Sequence, residues 1–299
     1  MINGTSKMKY KKIVHYSKCA REKDNHPGGV EKFAWYLQKA IRCELLTPRD
    51  KPNLNDPNTL YIVDNHWGLK IGDNCRVICV VHGCAGERGF NREIGKMQNE
   101  MMRRPNTYFV ANSLETKELC EKYYNAKIDE LIYLAVDESL YKPSTKRVRK
   151  RLILTSTAQK PHKGSHILSE VRSLLPATYK LTDMDCGLDD EPNEFRVADM
   201  FMLLSTHEGF AYSVLEAMCA NLPVLTGPHG IAYELKNENI EGFKVLPEEV
   251  LWNARTVANW IVELAEVKSP DTRKWVLNNC NLKMFSESWQ KLIKEEQNG

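Results

Sequence analysis

The sequence predicts an α/β fold in which two parallel-sheet domains face each other across a cleft. Short β-branched runs alternate with helical stretches along nearly the whole chain, and this alternation is typical of parallel sheets covered by helices on both faces. A length of 299 residues is sufficient for two such domains. The hydrophobic content of 42% and the charged content of 27% are those of a globular protein and exclude a disordered or fibrous chain.

The first predicted domain covers residues 1–143. A helix from Val30 to about Ile41 follows the first strand, because Phe33 and Leu37 recur on one face of it. A further helix begins at Ser113, a residue type that caps helix starts. The polar stretch 86–104 is expected to hold a loop and a helix. Strands are predicted at residues 13–16, 60–63, 77–81, 108–111 and 132–134.

The second predicted domain covers residues 144–282. The stretch Lys142 to Arg151 contains six basic residues in ten and is interpreted as a solvated linker, with a basic rim for an anionic acceptor as the alternative. Helical character runs from Trp275 to Lys294, and the C-terminal helix, at about residues 283–299, is expected to pack back onto the first domain. Strands are predicted at residues 152–154, 201–204 and 224–225.

Charge and hydropathy exclude several classes of protein. The net charge of +3 is too small to indicate a nucleic-acid or membrane-surface protein by itself. No apolar run approaches the roughly 18 residues of a membrane span, and no apolar segment typical of a signal peptide follows the N-terminal lysines. The chain is therefore expected to be a soluble cytoplasmic protein.

Cofactor and metal motifs are weak in this sequence. The nine cysteines contain no pair separated by two residues, so we expect reduced, mostly buried thiols and no zinc site. The two acids of Asp183-x-Asp185 have a spacing that is common by chance and follow no apolar strand, which disfavours a metal site. There is no G-x-G-x-x-G, and the stretch 89–96 departs from a Walker loop at its glycine and at Met97.

The segment 197–234 contains the strongest indication of function. A buried strand is predicted to end at Ser205, and a helix begins near Ser213, where its first N–H groups and its dipole favour an anion. Glu208 lies at the carboxyl end of the strand, and Glu216 shares a helix face with Ser213. Because a carboxylate can accept hydrogen bonds from two adjacent hydroxyls, this arrangement suits a nucleotide-sugar.

The same segment, EGFAYSVLEAMCANLPV, resembles the motif of family 4 retaining glycosyltransferases, the group 1 glycosyl transferases with the GT-B fold. Seven residues separate its two glutamates, as in that family. Other motifs follow in family order, and the short second half resembles a trimmed GT-B domain, as in a compact viral or phage-type member. These motifs are the G-G-x-E loop at 28–31, the strand-end histidine at 82, the stretch from 113 to 137, the K-G pair at 163–164 and the glycine-rich turn at 230–234.

The resemblance implies roles for individual residues and no metal or other cofactor. Glu208, His82 and Lys163 take the catalytic positions, with Lys163 neutralising the diphosphate of a UDP- or GDP-sugar. Weaker acceptor-side candidates are His66 and Arg88. The donor-binding residues implied are Gly28, Gly29, Lys160, Lys163, Gly209, Phe210, Ala211, Tyr212, Ser213 and Glu216.

Departures from the family motif keep other functions open. Thr157 occupies the place of the usual arginine, for which Lys160 is a candidate substitute, and Ala211 and Asn221 replace glycines. Transfer of a sugar to a glycan, lipid or small-molecule hydroxyl is the favoured function. The alternatives are a phage-type enzyme acting on modified DNA bases, a noncatalytic nucleotide-sugar-binding subunit and a sugar-nucleotide epimerase.

Overall fold

The computed structural model describes residues 9–18, 28–86, 92–144, 151–157, 159–184, 186 and 190–298. These residues divide into two compact units. Unit 1 contains the described residues from 9 to 135 together with those from 282 to 298, and unit 2 contains those from 136 to 281. Within the described ranges, no helix has the length and apolar character needed to cross a bilayer.

Unit 1 is built on a six-stranded sheet in the order β2-β1-β3-β4-β5-β6, in which all strand pairs are parallel. All residues of β3 and β4 are buried, as expected for central strands covered on both faces. Their carboxyl ends therefore lie side by side at one edge of the sheet. The strands are β1 (Lys12–Tyr16), β2 (Glu44–Leu46), β3 (Thr59–Asp64), β4 (Val77–Val81), β5 (Thr107–Ala111) and β6 (Glu130–Leu131).

Three helices connect the strands of unit 1. The first, α1 (Gly29–Ala40), buries Phe33 and Leu37, as its periodicity predicts. The second is α2 (Arg92–Met101), and the third is α3 (Leu114–Tyr124). Ser113 caps α3, since its side chain accepts a hydrogen bond from the backbone N–H of Thr116.

Unit 2 is built on a five-stranded parallel sheet in the order β11-β10-β9-β7-β8. Its central strand, β9, is completely buried between β7 and β10. The strands are β7 (Leu152–Thr155), β8 (Lys180–Asp183), β9 (Met200–Leu203), β10 (Val224–Thr226) and β11 (Phe243–Val245). The helices are α4 (Leu168–Leu174), α5 (Glu191–Val197), α6 (Tyr212–Cys219), α7 (Ile231–Leu235), α8 (Ala254–Ala265) and α9 (Thr272–Asn279).

Arg273 of α9 joins three backbone segments within unit 2. Its guanidinium donates to the carbonyl oxygens of Glu138, at 3.0 Å, and Tyr141, at 2.6 Å. It also donates to the carbonyl oxygen of Cys219, at the C-terminal end of α6. A cation at this end of a helix is favoured by the helix dipole, so Arg273 stabilises α6 while it holds the 138–141 segment in place.

The last helix, α10 (Leu282–Asn298), belongs to unit 1 and packs against α1. The side chains of Ser286 and Gln290 donate to the carbonyl oxygen of Ala40 at 3.1 and 3.0 Å, which satisfies an acceptor at the C-terminal end of α1. Trp289 is buried against Phe33, with 5.9 Å between ring centroids. Unit 1 is thus completed by residues that follow unit 2 in the chain.

Several predicted elements differ from the observed ones. The strand expected at 132–134 is instead β6, just before it, and the helix expected over 275–294 is interrupted at Cys280 and Asn281. Three short strands, β2, β8 and β11, were not predicted. Asp183 ends β8, which is not an apolar run, in agreement with the expectation that no apolar strand precedes this aspartate. The eight described cysteines are all free thiols, as expected.

Candidate functional site

The loops after β7 and β9 lie next to each other, because these two strands are neighbours in the sheet of unit 2. The backbone N–H of Thr206 donates to the carbonyl oxygen of His162 at 2.9 Å and fastens the two loops together. Gly164 allows this approach: its φ is +82°, and a Cβ there would lie 2.9 Å from Cβ of Leu204. The glycine of the K-G pair is therefore required both by backbone conformation and by space.

Lys163 and Glu208 face each other across these loops. The Lys163 Nζ lies 3.1 Å from Oε1 of Glu208, and the Ser205 hydroxyl donates to the same oxygen at 2.7 Å. The two side chains keep 23% and 15% of their surface exposed, so both can be reached from solvent. The two residues predicted to meet the donor are thus brought together, and their opposite charges neutralise each other.

Further basic groups surround this ion pair. Lys160 is exposed at the start of the 3-10 turn that carries Lys163. The His162 ring stacks on the His207 ring, with 4.5 Å between their centroids. Burial lowers the pKa of His162, and the charge of Lys163 lowers it further, whereas Glu208 opposes the shift. The loops therefore carry an excess of cationic groups around one carboxylate, an arrangement that favours an anionic ligand.

Thr157 is structural in this protein. Its side chain is completely buried, its backbone N–H donates to Oδ1 of Asp183 at 2.8 Å, and its hydroxyl donates to the other oxygen of that carboxylate. The position of the family's arginine is therefore part of the β7–β8 connection and offers no cation. Lys160 and Lys163 remain as the cations of this region.

The start of α6 has an unusual backbone. Ala211 caps the helix with φ +68° and ψ +69°, a left-handed conformation that disfavours residues with a Cβ. This conformation explains why the family motif has glycine at the position of Ala211. The preceding carbonyl, of Phe210, accepts from the N–H of Ile231, and Gly230 permits this contact, since a Cβ there would lie 2.7 Å from the carbonyl of Phe210.

The predicted donor-binding residues around this turn differ in accessibility. Gly209 and Ser213 are partly exposed, whereas Phe210, Ala211 and Tyr212 keep 3%, 7% and 7% of their surface. Contacts to a ligand from the buried residues would thus come mainly through backbone groups. The N–H of Val214, in the first turn of α6, donates to the carbonyl oxygen of Ala211 at 3.1 Å.

Glu216 is completely buried. The hydroxyl of Tyr141 lies 3.0 Å from Oε1 of Glu216 and 3.2 Å from Oε2 of Glu191. Glu216 and Ser213 do lie one helical turn apart on α6, but only Ser213 has exposed surface. In this conformation Glu216 holds the 138–141 segment, and its predicted contact with the donor stays a prediction.

Unit 1 contains a second group of hydrogen-bonded polar side chains, centred on the predicted site residue His82. Nε2 of His82 lies 2.8 Å from Oδ1 of Asp64, and Nε2 of His15 lies 3.2 Å from Oδ2 of the same carboxylate. Asp64 ends β3, His15 lies in β1 and His82 directly follows β4, and these three strands are adjacent in the sheet. Burial acts to raise the pKa of Asp64, but the two histidines outweigh it and hold the pKa well below its usual range.

Gly28 and Gly29 lie at the start of α1, where Gly28 is the N-terminal cap and Gly29 the first residue. The same helix carries Phe33, whose ring contacts that of His82 edge-on at 4.8 Å between centroids. His66 is partly buried near Trp67, and burial lowers its pKa, with Lys18 and Lys70 adding to the shift. Arg88 lies outside the described residues, as does most of the basic run, 145–150.

Asp64 and His15 were not found as site residues by the sequence analysis. The available indications were an aspartate at the carboxyl end of an apolar strand and a histidine inside one. Neither is informative until the strand order is known, since only the order β1-β3-β4 brings these side chains to one another. Among the residues that the structure describes, no group of three or more His, Cys, Asp or Glu side chains is arranged so that it could hold a metal ion.

Comparison with protein families matches residues 186–264 to the glycosyl transferases of group 1. The matched part runs through β9, α6 and β10 and includes both Glu208 and Glu216. A comparison with curated protein sequences finds no match.

Solved structures share the fold over nearly the whole chain. Anabaena HepE in complex with UDP-glucose has a TM-score of 0.73 and 15% sequence identity, covering 95% of this chain and 99% of its own. Sucrose-phosphate synthase from Thermosynechococcus elongatus has a TM-score of 0.71 and 13% identity, covering 95% and 99%. A glycosyltransferase from Rickettsia africae has a TM-score of 0.64 and 15% identity, covering 96% and 99%.

These findings confirm the resemblance to group 1 glycosyl transferases and the GT-B fold, with two parallel-sheet α/β units. They leave the roles of individual residues as predictions. Within unit 2, the structure brings together Lys163, Glu208 and the neighbouring basic loop, and in unit 1 it places His82 in a buried network.

Proposed function

We propose that this protein is a retaining glycosyltransferase that moves a sugar from a nucleotide diphosphate sugar, most directly a UDP-sugar, to a hydroxyl acceptor. The observation that carries the proposal is the Lys163–Glu208 pair, with 3.1 Å between Nζ and Oε1, at the carboxyl edge of β7 and β9. Support for a UDP-sugar comes from HepE, of similar fold, which was solved with UDP-glucose.

The diphosphate is proposed to bind at the loops after β7 and β9. As the sugar–phosphate bond breaks, negative charge accumulates on the leaving diphosphate. Lys163, Lys160 and the first N–H groups of α6 would stabilise this charge, which is often the largest contribution to catalysis. Removing one such donor typically lowers the rate by about 10²–10³-fold.

Glu208 is proposed to hold the hydroxyls of the sugar. A carboxylate accepts hydrogen bonds from adjacent hydroxyls, and the Ser205 hydroxyl already donates to its Oε1 at 2.7 Å, which orients the group. Binding of the donor would transfer Lys163 from Glu208 to the diphosphate and free the carboxylate for the sugar. Breaking this one ion pair would thus make Lys163 available to the diphosphate and Glu208 available to the sugar.

The stereochemistry and the cation requirement follow from the resemblance alone. It implies attack by the acceptor hydroxyl on the face that the diphosphate leaves, so no enzyme nucleophile is assigned. We predict that transfer requires no metal or other cofactor and that the protein is cytoplasmic. The product's anomeric configuration, read from NMR coupling constants, and the rate with and without EDTA test the first two statements.

The function is tested by incubating the protein with a panel of UDP- and GDP-sugars, with and without glycan, lipid and small-molecule acceptors. Mass spectrometry would then detect hydrolysed donor and glycosylated product. We expect turnover of at least one UDP-sugar, and a large loss in Glu208→Gln. Full turnover by Glu208→Gln on the same donor would contradict the assignment.

A matched control is Glu238→Gln, which removes an exposed carboxylate of unit 2 outside the β7 and β9 loops. It changes the net charge as Glu208→Gln does, so it should keep full turnover. An equal loss in both variants would show that charge alone, and not the Lys163–Glu208 pair, controls activity.

A further inference from the structure

We infer that Asp64 is a positioning residue for His82: it fixes the imidazole with its hydrogen on Nε2 and leaves Nδ1 as a hydrogen-bond acceptor for a hydroxyl of the reacting sugars. The inference rests on the proposed function for the identity of that hydroxyl. The orientation of the ring itself follows from contacts within unit 1.

The hydrogen-bond chemistry of Asp64 defines the state of both rings. An ionised carboxylate can only accept, so each imidazole nitrogen that contacts it must donate. Nε2 of His82 lies 2.8 Å from Oδ1, and Nε2 of His15 lies 3.2 Å from Oδ2. Both Nε2 atoms therefore carry hydrogen, and the lone pair of a neutral His82 is on Nδ1.

The two imidazoles differ in access to solvent. The side chain of His15 is completely buried, whereas that of His82 keeps 8% of its surface exposed. Nδ1 of His15 is a buried atom that has no hydrogen-bond partner in the described part of the chain. His15 thus serves as a buried donor that keeps Asp64 in place, and His82 is the ring that a ligand can reach.

The backbone of His82 is held as firmly as its ring. Its N–H donates to Oδ1 of Asn65, the residue after Asp64, at 2.9 Å. Gln98 of α2 donates to the carbonyl oxygen of Gly83 at 2.9 Å and accepts from the N–H of Ala85 at 2.8 Å. The loop after β4 is thus held at residues 82, 83 and 85. Such fixation suits an imidazole whose orientation matters, since reacting groups must be placed within fractions of an ångström.

Phe33 limits the remaining freedom of the ring. It contacts His82 edge-on at 4.8 Å and His15 at 5.7 Å between ring centroids. Phe33 lies on α1, four residues after Gly29. The helix that begins at the predicted glycine loop therefore packs on the network that orients His82.

The first experiment measures the ring tautomers directly and does not depend on turnover. Two-bond ¹H–¹⁵N spectra of the ¹⁵N-labelled protein at pH 8 would be assigned with His82→Gln. We expect hydrogen on Nε2 of His82. In Asp64→Asn the side chain offers one acceptor oxygen to two rings, so at least one ring should change to the Nδ1–H form. Hydrogen on Nδ1 of His82 in the wild type, or unchanged rings in Asp64→Asn, would overturn the inference.

The second experiment separates positioning from folding. With a donor that the wild type turns over, Asp64→Asn should lower kcat by about 10–100-fold, by analogy with the partners that orient metal-bound histidines, and change the donor KM far less. Asp73→Asn, an acid-to-amide change at an exposed site of unit 1, should have no effect. Unchanged kcat in a folded Asp64→Asn would exclude the positioning role. Absence of turnover in the wild type would refute the proposed function, while the spectra still decide the orientation of His82.

Discussion

Replacing Glu208 by glutamine should make UDP bind more tightly, although the same change should impair sugar transfer. Lys163 is paired with Glu208, with 3.1 Å between Nζ and Oε1. A diphosphate that recruits Lys163 must first break that pair and then approach a carboxylate of like charge. Glutamine removes both penalties and keeps the size of the side chain.

The magnitude follows from the surroundings of the pair. At 3.1 Å the gross Coulomb attraction is about 5 kcal/mol for an effective dielectric constant of about 20, but loss of hydration cancels most of it. Exposed pairs retain about 0.2–1 kcal/mol, and this pair is less exposed, at 23% and 15%. A net value of about 1–2 kcal/mol corresponds to UDP affinity that is about 5–30-fold higher in Glu208→Gln.

Isothermal titration calorimetry with UDP and with a UDP-sugar tests this expectation. The gain should appear for UDP and should be reduced or reversed for the UDP-sugar, because glutamine loses the charge-assisted bonds to the sugar hydroxyls. In a Lys163→Met background, Glu208→Gln should change UDP affinity much less, since no ion pair remains to be broken. Unchanged or weaker UDP binding in Glu208→Gln alone would refute the reasoning.

Three further predictions concern stability and reactivity. Ala211→Gly should change the free energy of unfolding by less than about 1 kcal/mol, because relief of the left-handed backbone at this residue (φ +68°) offsets the loss of the methyl group. Ala217→Gly, inside the same helix, should lower the free energy of unfolding by about 1–2 kcal/mol. Urea unfolding of both variants would show this contrast. Arg273→Met should lower the free energy of unfolding by about 2–3 kcal/mol, since three carbonyl oxygens lose a charged donor. Lys274→Met, at an exposed site of the same helix, should change the free energy of unfolding by no more than about 0.5 kcal/mol in the same assay. Burial raises the pKa of Cys43 from 9.0 to about 11. Iodoacetamide at pH 8 should therefore label this thiol about 100-fold more slowly in the folded protein than in the urea-unfolded protein, because the thiolate is the reactive form. Mass spectrometry would measure both labelling rates, and equal rates would contradict the burial of the thiol.

Most of the fold could be predicted from sequence because the central strands are continuous apolar runs. β4, for example, is completely buried, and its bounds agree with the predicted strand at 77–81. The strands that were missed are short and lie at or near the edges of the sheets. In β8 a single residue is buried, so its sequence has no hydrophobic pattern to detect.

The two candidate sites were predictable to different extents. Lys163 and Glu208 follow strands that a local motif identifies, and the sheet order then places them together. The contacts of Asp64 depend on pairing between β1, β3 and β4, which no local pattern records. The burial of Glu216 was also missed, because the spacing from Ser213 fixes a helix face but not what covers it.

The glycine replacements show how local geometry limits what a sequence motif can reveal. Asn221 has φ +56°, a conformation that asparagine tolerates better than other residues with a side chain. Its side-chain oxygen also accepts from the backbone N–H of Arg273 at 3.1 Å. A departure that weakened the resemblance in sequence is therefore conformationally conservative and adds a contact between the turn after α6 and α9.

The assignment of α10 to unit 1 has a consequence for biosynthesis. The ribosome must translate all of unit 2 before it makes the helix whose Trp289 covers Phe33 and whose Glu296 carboxylate pairs with Arg76 at 2.6 Å. The face of α1 that α10 covers is therefore exposed until α10 has been made, whereas all described strands and helices of unit 2 precede α10 in the chain. The final packing of unit 1 can therefore be reached only after unit 2 has been translated.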